Sequence, residues 1–147
     1  MKTNSILVLL AFSLLSTVFS QPTQARDNQC LGKICMGMKE SQVQNSLGKP
    51  LSYEKRQCGR GDLKYSQGEV SLQDGSTYRI TAQSSRWRTE LGIKVGDNIS
   101  KAQKNYSLKR DDSSSFSIEL STGDYLTFYT DNYQKIKKIV LHRITAC

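Results

Sequence analysis

The stretch CMGMKESQVQNSLGKP, residues 35–50, has the pattern of a short amphipathic helix. Val43 and Leu47 stand four residues apart and therefore share one face of such a helix. Pro50 stops the helix, because a proline ring cannot continue it. The second half of the chain contains a stretch with the same pattern, VGDNISKAQKNYS at residues 95–107. The two stretches predict two short helices in related positions.

The similarity between the two halves extends beyond the helices. When Gly37 is aligned with Gly96, the apolar positions of the two helices coincide. Each half also has an alternating stretch that ends in a glycine turn, SQGE (66–69) in the first half and STGD (121–124) in the second. Glycine is favoured at hairpin turns because it accepts the positive backbone angle that they need. The chain is therefore predicted to contain an internal repeat.

The segments around these turns have the pattern of strands. Residues 115–120, SFSIEL, alternate apolar and polar side chains, as expected of a strand with one buried and one solvent-facing side. Similar runs predict strands at 62–66, 69–73, 77–83, 114–120, 125–130 and 135–144. The sequence therefore predicts an α+β fold of two tandem units, each a short helix followed by an antiparallel β-meander. The units are expected to form one sheet with the helices on one face.

The first 25 residues have the pattern of a secretory signal peptide. Lys2 precedes an apolar stretch at residues 6–19, which is shorter than the roughly 20 residues of a transmembrane helix. Cleavage is expected after Ala25, with Ser20 as the alternative site. The predicted divisions are a signal peptide at 1–25, a first unit at 26–84 and a second unit at 85–147, the units sharing one compact domain. We expect an exported protein, periplasmic or secreted, with no transmembrane segment after cleavage.

All four cysteines lie beyond this cleavage site: Cys30, Cys35, Cys58 and Cys147. An even number in an exported chain indicates two disulfides, and three pairings are possible. We expect Cys35 to pair with Cys58, and Cys30 with Cys147, which would tie the first helix to its following loop and the chain ends together. The cysteine spacing does not fit a zinc site, and neither a metal nor another cofactor is expected.

The starts of the two helices resemble a known family. CMGMKESQVQNSLGKP (35–50) is similar to the opening of the modules in the beta-lactamase inhibitor protein and in the small outer-membrane assembly lipoproteins. TELGIKVGDNISKAQKNY (89–106) is similar to the second-unit form of that opening. The resemblance implies a tandem fold in an exported bacterial protein and a sheet surface that binds another protein. The chain departs from the family in its shorter units and in lacking the lipid-attachment cysteine.

The residues that catalysis would need are scarce. His142 is the single histidine, and no strand-turn-helix nucleophile motif is present. A Ser-His-Asp or Cys-His arrangement needs a base held beside a nucleophile. We therefore predict a non-enzymatic protein with no catalytic residues. The alternative is a small basic secreted hydrolase, similar to a ribonuclease, that acts on an anionic polymer with His142 and Glu119 as acid and base.

The chain carries an excess of positive charge, with 21 basic and 13 acidic residues. Such an excess suits an acidic protein partner or an anionic envelope surface, whereas single-stranded nucleic acid would need more aromatic side chains between the cations. We predict a binding protein, in one form a protein inhibitor, that engages a macromolecular partner through the exposed sheet face. The predicted binding residues are Arg86, Arg88, Tyr129, Lys137, Lys138 and Arg143. Trp87 is expected to be a buried plug, and attachment to an envelope surface by charge alone is a further alternative.

Overall fold

The computed structural model describes residues 29–108 and 114–146. In chain order the elements are β1 (Cys30–Leu31), β2 (Ile34–Cys35), α1 (Glu40–Leu47), β3 (Ser52–Lys55), β4 (Arg60–Tyr65), β5 (Gly68–Gln73), β6 (Ser76–Ala82), α2 (Ile99–Tyr106), β7 (Ser115–Glu119), β8 (Tyr125–Thr130) and β9 (Ile136–His142). The predicted signal peptide at residues 1–25 lies outside the described residues, as does Cys147. No helix in the described part of the chain is long and apolar enough to span a bilayer.

Within these residues, seven strands form one sheet in the order β3-β4-β5-β6-β9-β8-β7. Every neighbouring pair is antiparallel. The strands that follow α1 meet the strands that follow α2 where β6 pairs with β9. The α+β class is confirmed, and β4 to β9 match the predicted strands to within two residues at each end.

Each helix begins at a different kind of cap. The N-cap of α1 is Lys39, whose backbone amide donates to Oε1 of Gln42 at 2.8 Å. The N-cap of α2 is Asn98, whose Oδ1 accepts from the backbone amide of Ser100 at 2.9 Å. Asparagine is a favoured N-cap because its side chain satisfies an amide that has no partner within the helix.

One face of the sheet packs against the helices and forms the core. Paired positions place a row of apolar side chains across six strands: Leu63, Val70, Ile80, Leu141, Leu126 and Ile118. The helix residues Val43, Ile99 and Ala102 belong to the same buried cluster. Full burial of one large aliphatic side chain contributes about 1.5–3 kcal/mol, so this shared cluster is the main source of stability.

The predicted pairing of the cysteines is wrong. Cys30 is bonded to Cys35, because the β1–β2 hairpin places the two residues directly opposite each other. The expected Cys35–Cys58 and Cys30–Cys147 bridges are therefore excluded. Cys58 is also disulfide-bonded.

Candidate functional site

The sheet has a polar face on the side opposite the core. Side chains alternate between the two sides of a strand, so polar residues fall between the buried apolar ones. A first row of this polar face crosses six strands: Asp62, Ser71, Arg79, His142, Tyr125 and Glu119. A second row lies beside it: Lys64, Glu69, Thr81, Val140, Thr127 and Ser117. Every residue of the two rows except Val140 has a polar side chain.

Several polar atoms on this face have no hydrogen-bond partner among residues 29–108 and 114–146. In the first row these atoms are Oγ of Ser71, Nε of Arg79 and Nδ1 of His142, and all three are buried. Ser71 is 0% exposed. Buried polar atoms in proteins are nearly always paired, because an unpaired one costs about 1–3 kcal/mol. These three atoms lie below the accessible surface at the centre of the polar face, so their missing hydrogen bonds are a cost to the fold.

A pocket of about 220 Å³ opens beside these atoms. Its lining comes from β5, β6, β8, β9 and the residue after β6: Glu69, Arg79, Thr81, Gln83, Tyr129, Lys138 and Val140. Nη2 of Arg79 lies 3.2 Å from Oε1 of Glu69. Nζ of Lys138 lies 4.0 Å from the centre of the Tyr129 ring, where the face of the ring attracts a cation.

The polar face is covered at its β4–β5 end. Arg56 forms an ion pair with the buried carboxylate of Asp62. The C-terminal residues cross the same end, where Nη2 of Arg60 donates to the carbonyl oxygen of Thr145 at 3.2 Å. Nε2 of Gln73 donates to the carbonyl oxygen of residue 146 at 2.9 Å. The pocket lies beyond this cover, over β6, β9 and β8.

His142 lies in the middle of the first row and is not paired with Glu119. Its ring stacks on Tyr125, with the ring centres 5.6 Å apart. Tyr125 stands between His142 and Glu119 in the register, so the two residues are two strand spacings, or about 10 Å, apart. Glu119 interacts with Tyr125 instead and raises the pKa of that phenol. The acid-base pair expected for a hydrolase is therefore not formed by direct contact.

Acidification is expected to destabilise the fold through His142. Burial, and then the nearby Arg79 cation, lower the pKa of His142 below its usual value, although Asp124 opposes the shift. Below about pH 6.5 the unfolded chain therefore binds more protons than the folded chain, and stability falls as pH falls. Urea unfolding of the wild type and of His142→Gln at several pH values tests this. As the pH falls, the free energy of unfolding of the wild type should decrease relative to that of His142→Gln. A difference between the two proteins that stays constant with pH would contradict this prediction.

The structure brings two of the six predicted binding residues together in the pocket: Tyr129 and Lys138. Lys137 is exposed and lies at the irregularity between β8 and β9, where the pairing shifts at Tyr129 and Thr130. Lys137 is not among the residues that line the pocket. Arg143 is committed elsewhere, because its Nε lies 2.7 Å from Oδ1 of the buried Asp124.

The other two predicted residues lie in the segment between β6 and α2. Arg86 and Arg88 are exposed, and the Trp87 between them is buried in the core, as expected for a plug. Arg86 lines a second pocket of about 300 Å³. Its lining combines two cations with an aromatic ring and uncharged residues: Gly32, Lys33, Ser46, Leu47, Gln67, Arg86 and Trp87.

Sequence reasoning missed the residues at the centre of the site. Ser71 and Arg79 occupy polar positions of strands that were predicted correctly, and they stand opposite each other in the register. Alternation places both side chains on the polar face. The pairing of β6 with β9, which the alternation cannot indicate, then sets Arg79 beside His142. The available signal was a charged residue in the middle of a predicted strand.

No site for a metal is formed by the residues that the structure describes. Within residues 29–108 and 114–146, histidine, cysteine, aspartate and glutamate side chains form no group of three or more that could hold an ion. The pocket lining contains a single carboxylate, Glu69, which is paired with Arg79. The side chains of the pocket can therefore form hydrogen bonds and ion pairs with a ligand.

Comparisons with known proteins identify the fold and no family. No protein-family model matches the sequence. No curated protein sequence matches it significantly. The chain resembles an extracellular protein of Bacillus anthracis that contains an SCP domain, with a TM-score of 0.62 and 11% identity over 74% of this chain and 44% of that one.

Two further solved structures are similar. A cysteine-rich secretory protein of Staphylococcus aureus matches with a TM-score of 0.51 and 11% identity over 74% of this chain and 44% of that one. The uncharacterised protein YfeY of Escherichia coli matches with a TM-score of 0.48 and 16% identity over 79% of this chain and 97% of that one. The chain thus spans less than half the length of the first two proteins. These structures are not beta-lactamase inhibitor proteins, and at such low identity the likeness shows the fold alone.

Proposed function

We propose that this chain is an exported, non-enzymatic binding protein that engages a macromolecular partner with the polar face of its sheet. The observation that carries the proposal is the open pocket on the polar face, whose lining contains the two cations Arg79 and Lys138. A protein partner can pair its own polar and charged groups with the solvent-accessible side chains around the pocket, such as Arg79, Gln83 and Lys138. The starts of the two helices resemble those of the beta-lactamase inhibitor family, in which such binding can take the form of protein inhibition.

Two features support export. The first 25 residues have the pattern of a signal peptide. The Cys30–Cys35 disulfide and the bonded Cys58 are typical of an oxidising compartment outside the cytosol. Two of the similar structures are described as extracellular or secretory proteins, which agrees with this assignment.

The proposed face is built from two related halves. A helix precedes β4, β5 and β6 in the first half, and a helix precedes β7, β8 and β9 in the second. Because β6 pairs with β9, the two sets of strands meet at the centre of the sheet. This order supports the proposal that the chain is a tandem of two helix-and-meander units whose junction carries the binding pocket.

Site-specific photocrosslinking tests the function. A benzoylphenylalanine placed at Gln83, an exposed residue at the pocket, is compared with the same group at Ser100, an exposed residue of α2. Both proteins are exposed to the native envelope fraction and medium, with disulfides intact. We expect a discrete crosslinked protein from position 83 and none from position 100. Capture from both positions alike, or from neither, would overturn the proposal.

The salt dependence of the crosslink tests one alternative, and a turnover assay tests the other. Attachment by charge alone predicts capture that disappears between low and physiological salt, because exposed charges are screened beyond about 8 Å at physiological ionic strength. Hydrolysis of an anionic polymer depends on His142, whose Nδ1 has no partner in the described protein. Turnover of RNA or an anionic glycan that His142→Ala abolishes, with folding intact, would replace the binding proposal with an enzymatic one.

A further inference from the structure

We propose that the pocket between Arg79 and Lys138 binds the carboxylate of an aspartate or glutamate side chain of the partner protein. This inference rests on the proposed function of the polar face and specifies the chemistry of the contact. The pocket is the place where a partner side chain would anchor, and the surrounding rows would contact the rest of the partner surface.

The charges of the lining favour a carboxylate. Two cations, Arg79 and Lys138, face one acidic residue, Glu69. Within the described chain, Glu69 pairs with Arg79 through one guanidinium nitrogen, and Lys138 contacts the Tyr129 ring instead of a carboxylate. The lining therefore carries one positive charge in excess, which one added carboxylate neutralises. Hydrogen bonds between a cation and a carboxylate are about twice as strong as those between neutral groups.

The geometry of Arg79 leaves donors for a second carboxylate. Its Nη2 donates to Oε1 of Glu69, and its side chain keeps 39% of its surface exposed. A guanidinium presents five donors in a planar fork and can hold two carboxylates on different edges. Lysine carries its charge at a single point on a flexible stem. The ammonium of Lys138 can therefore move from the Tyr129 ring toward an incoming carboxylate.

The size of the pocket favours one side chain over a small-molecule ligand. Its volume of about 220 Å³ is below the roughly 300–1,000 Å³ of typical ligand pockets. Thr81 and Val140 stand opposite each other in the register and line it, and Thr81 is only 8% exposed. A short acidic side chain fills such a space with its methylene groups against Val140 and its oxygens toward Arg79 and Lys138.

The charges around the pocket disfavour a polyanion. The polar face also carries the carboxylate of Glu119, and the buried Asp62 neutralises Arg56 at its β4–β5 end. A nucleic acid or an anionic membrane requires an extended surface of cations, because its charges are closely spaced. Isolated cations between carboxylates instead fit a partner with single acidic residues, as protein surfaces have.

The test is a titration of the ¹⁵N-labelled protein, disulfides intact, with N-acetylglutamate N-methylamide, followed by NMR. The matched probe is N-acetylglutamine N-methylamide, which has the same shape and no charge. We expect saturable shifts at the backbone amides of Thr81, Tyr129 and Val140 with the glutamate probe alone. Lys138→Gln should weaken that binding by at least about fivefold, the size of a roughly 1 kcal/mol contact. Lys137→Gln removes the same charge one residue away and should change the affinity for the glutamate probe by less than about twofold.

Four results would overturn the inference. The first two are equal affinity for the glutamate and glutamine probes, and no binding of either probe. The third is an equal loss of affinity for the glutamate probe in Lys138→Gln and Lys137→Gln. The fourth is tighter binding of inorganic phosphate than of the glutamate probe. The last result would identify a general oxyanion site. Each result is independent of crosslinking at Gln83. Capture at Gln83 without carboxylate binding rejects this inference alone, and carboxylate binding without capture rejects the proposed function.

Discussion

Replacing Trp87 with alanine is expected to lower the free energy of unfolding by about 3–5 kcal/mol, the usual cost of removing a large buried aromatic side chain. Trp87 is 4% exposed and belongs to the core cluster. Its ring packs against Gly32, where a Cβ atom would lie only 3.1 Å from Cδ1 of the indole. The backbone amide of Gly32, in the β1–β2 hairpin, also donates to the carbonyl oxygen of Arg88 at 2.8 Å. Loss of the indole would therefore leave a cavity under the hairpin.

Urea unfolding measures this loss, with Arg86→Ala as the matched control. Arg86 is the preceding residue and is exposed, so its truncation should stay within about 0.5 kcal/mol of the wild type. A loss of less than 1 kcal/mol in Trp87→Ala would show that Trp87 is a surface contact residue and not a core residue.

Replacing Arg143 with alanine is expected to destabilise the fold by about 3 kcal/mol. Arg143 holds the carboxylate of Asp124 through Nε at 2.7 Å and Nη2 at 3.1 Å, and Asp124 is 0% exposed. Truncation would leave that carboxylate buried with its charge unpaired, which typically costs about 3–5 kcal/mol. The low end applies because the Arg143 side chain keeps 37% of its surface in water, where solvent screens the pair. The ion pair gives Arg143 a structural role, and its role in binding stays a prediction.

Two further variants separate charge from packing at this pair. Arg143→Lys keeps the cation but loses the two-point contact, and should destabilise less than alanine does. The double change Asp124→Asn with Arg143→Met removes both charges and should also cost less than Arg143→Ala alone, since no charge is left unpaired. A double variant that is less stable than Arg143→Ala would contradict an electrostatic cause.

The helices and the six strands β4 to β9 could be predicted because their residues repeat with the period of the element. SFSIEL alternates along β7, and Val43 and Leu47 mark one face of α1. The same alternation predicts that each strand has a polar side. Tyr129 and Lys138 could be placed on that side by counting along β8 and β9.

Other features lack such a period. β3 has four exposed residues, so no buried alternation marks it as a strand. The β1–β2 hairpin has two residues in each strand, too few to repeat, and its tight turn is what brings Cys30 to Cys35. Four cysteines allow three pairings, and only the path of the chain selects one.

By itself, the sequence of this protein determined its α+β class, the positions of its main helices and strands, and the existence of a polar side to each strand, because these follow from local spacing. Only the tertiary structure decided which polar residues meet. Pairing of β6 with β9 sets Arg79 beside His142, and pairing of β8 with β9 sets Lys138 beside Tyr129. Arg143 is held by Asp124 for the same reason. The contacts of a site join residues far apart in the chain, and their identity depends on strand order, which local periodicity does not encode.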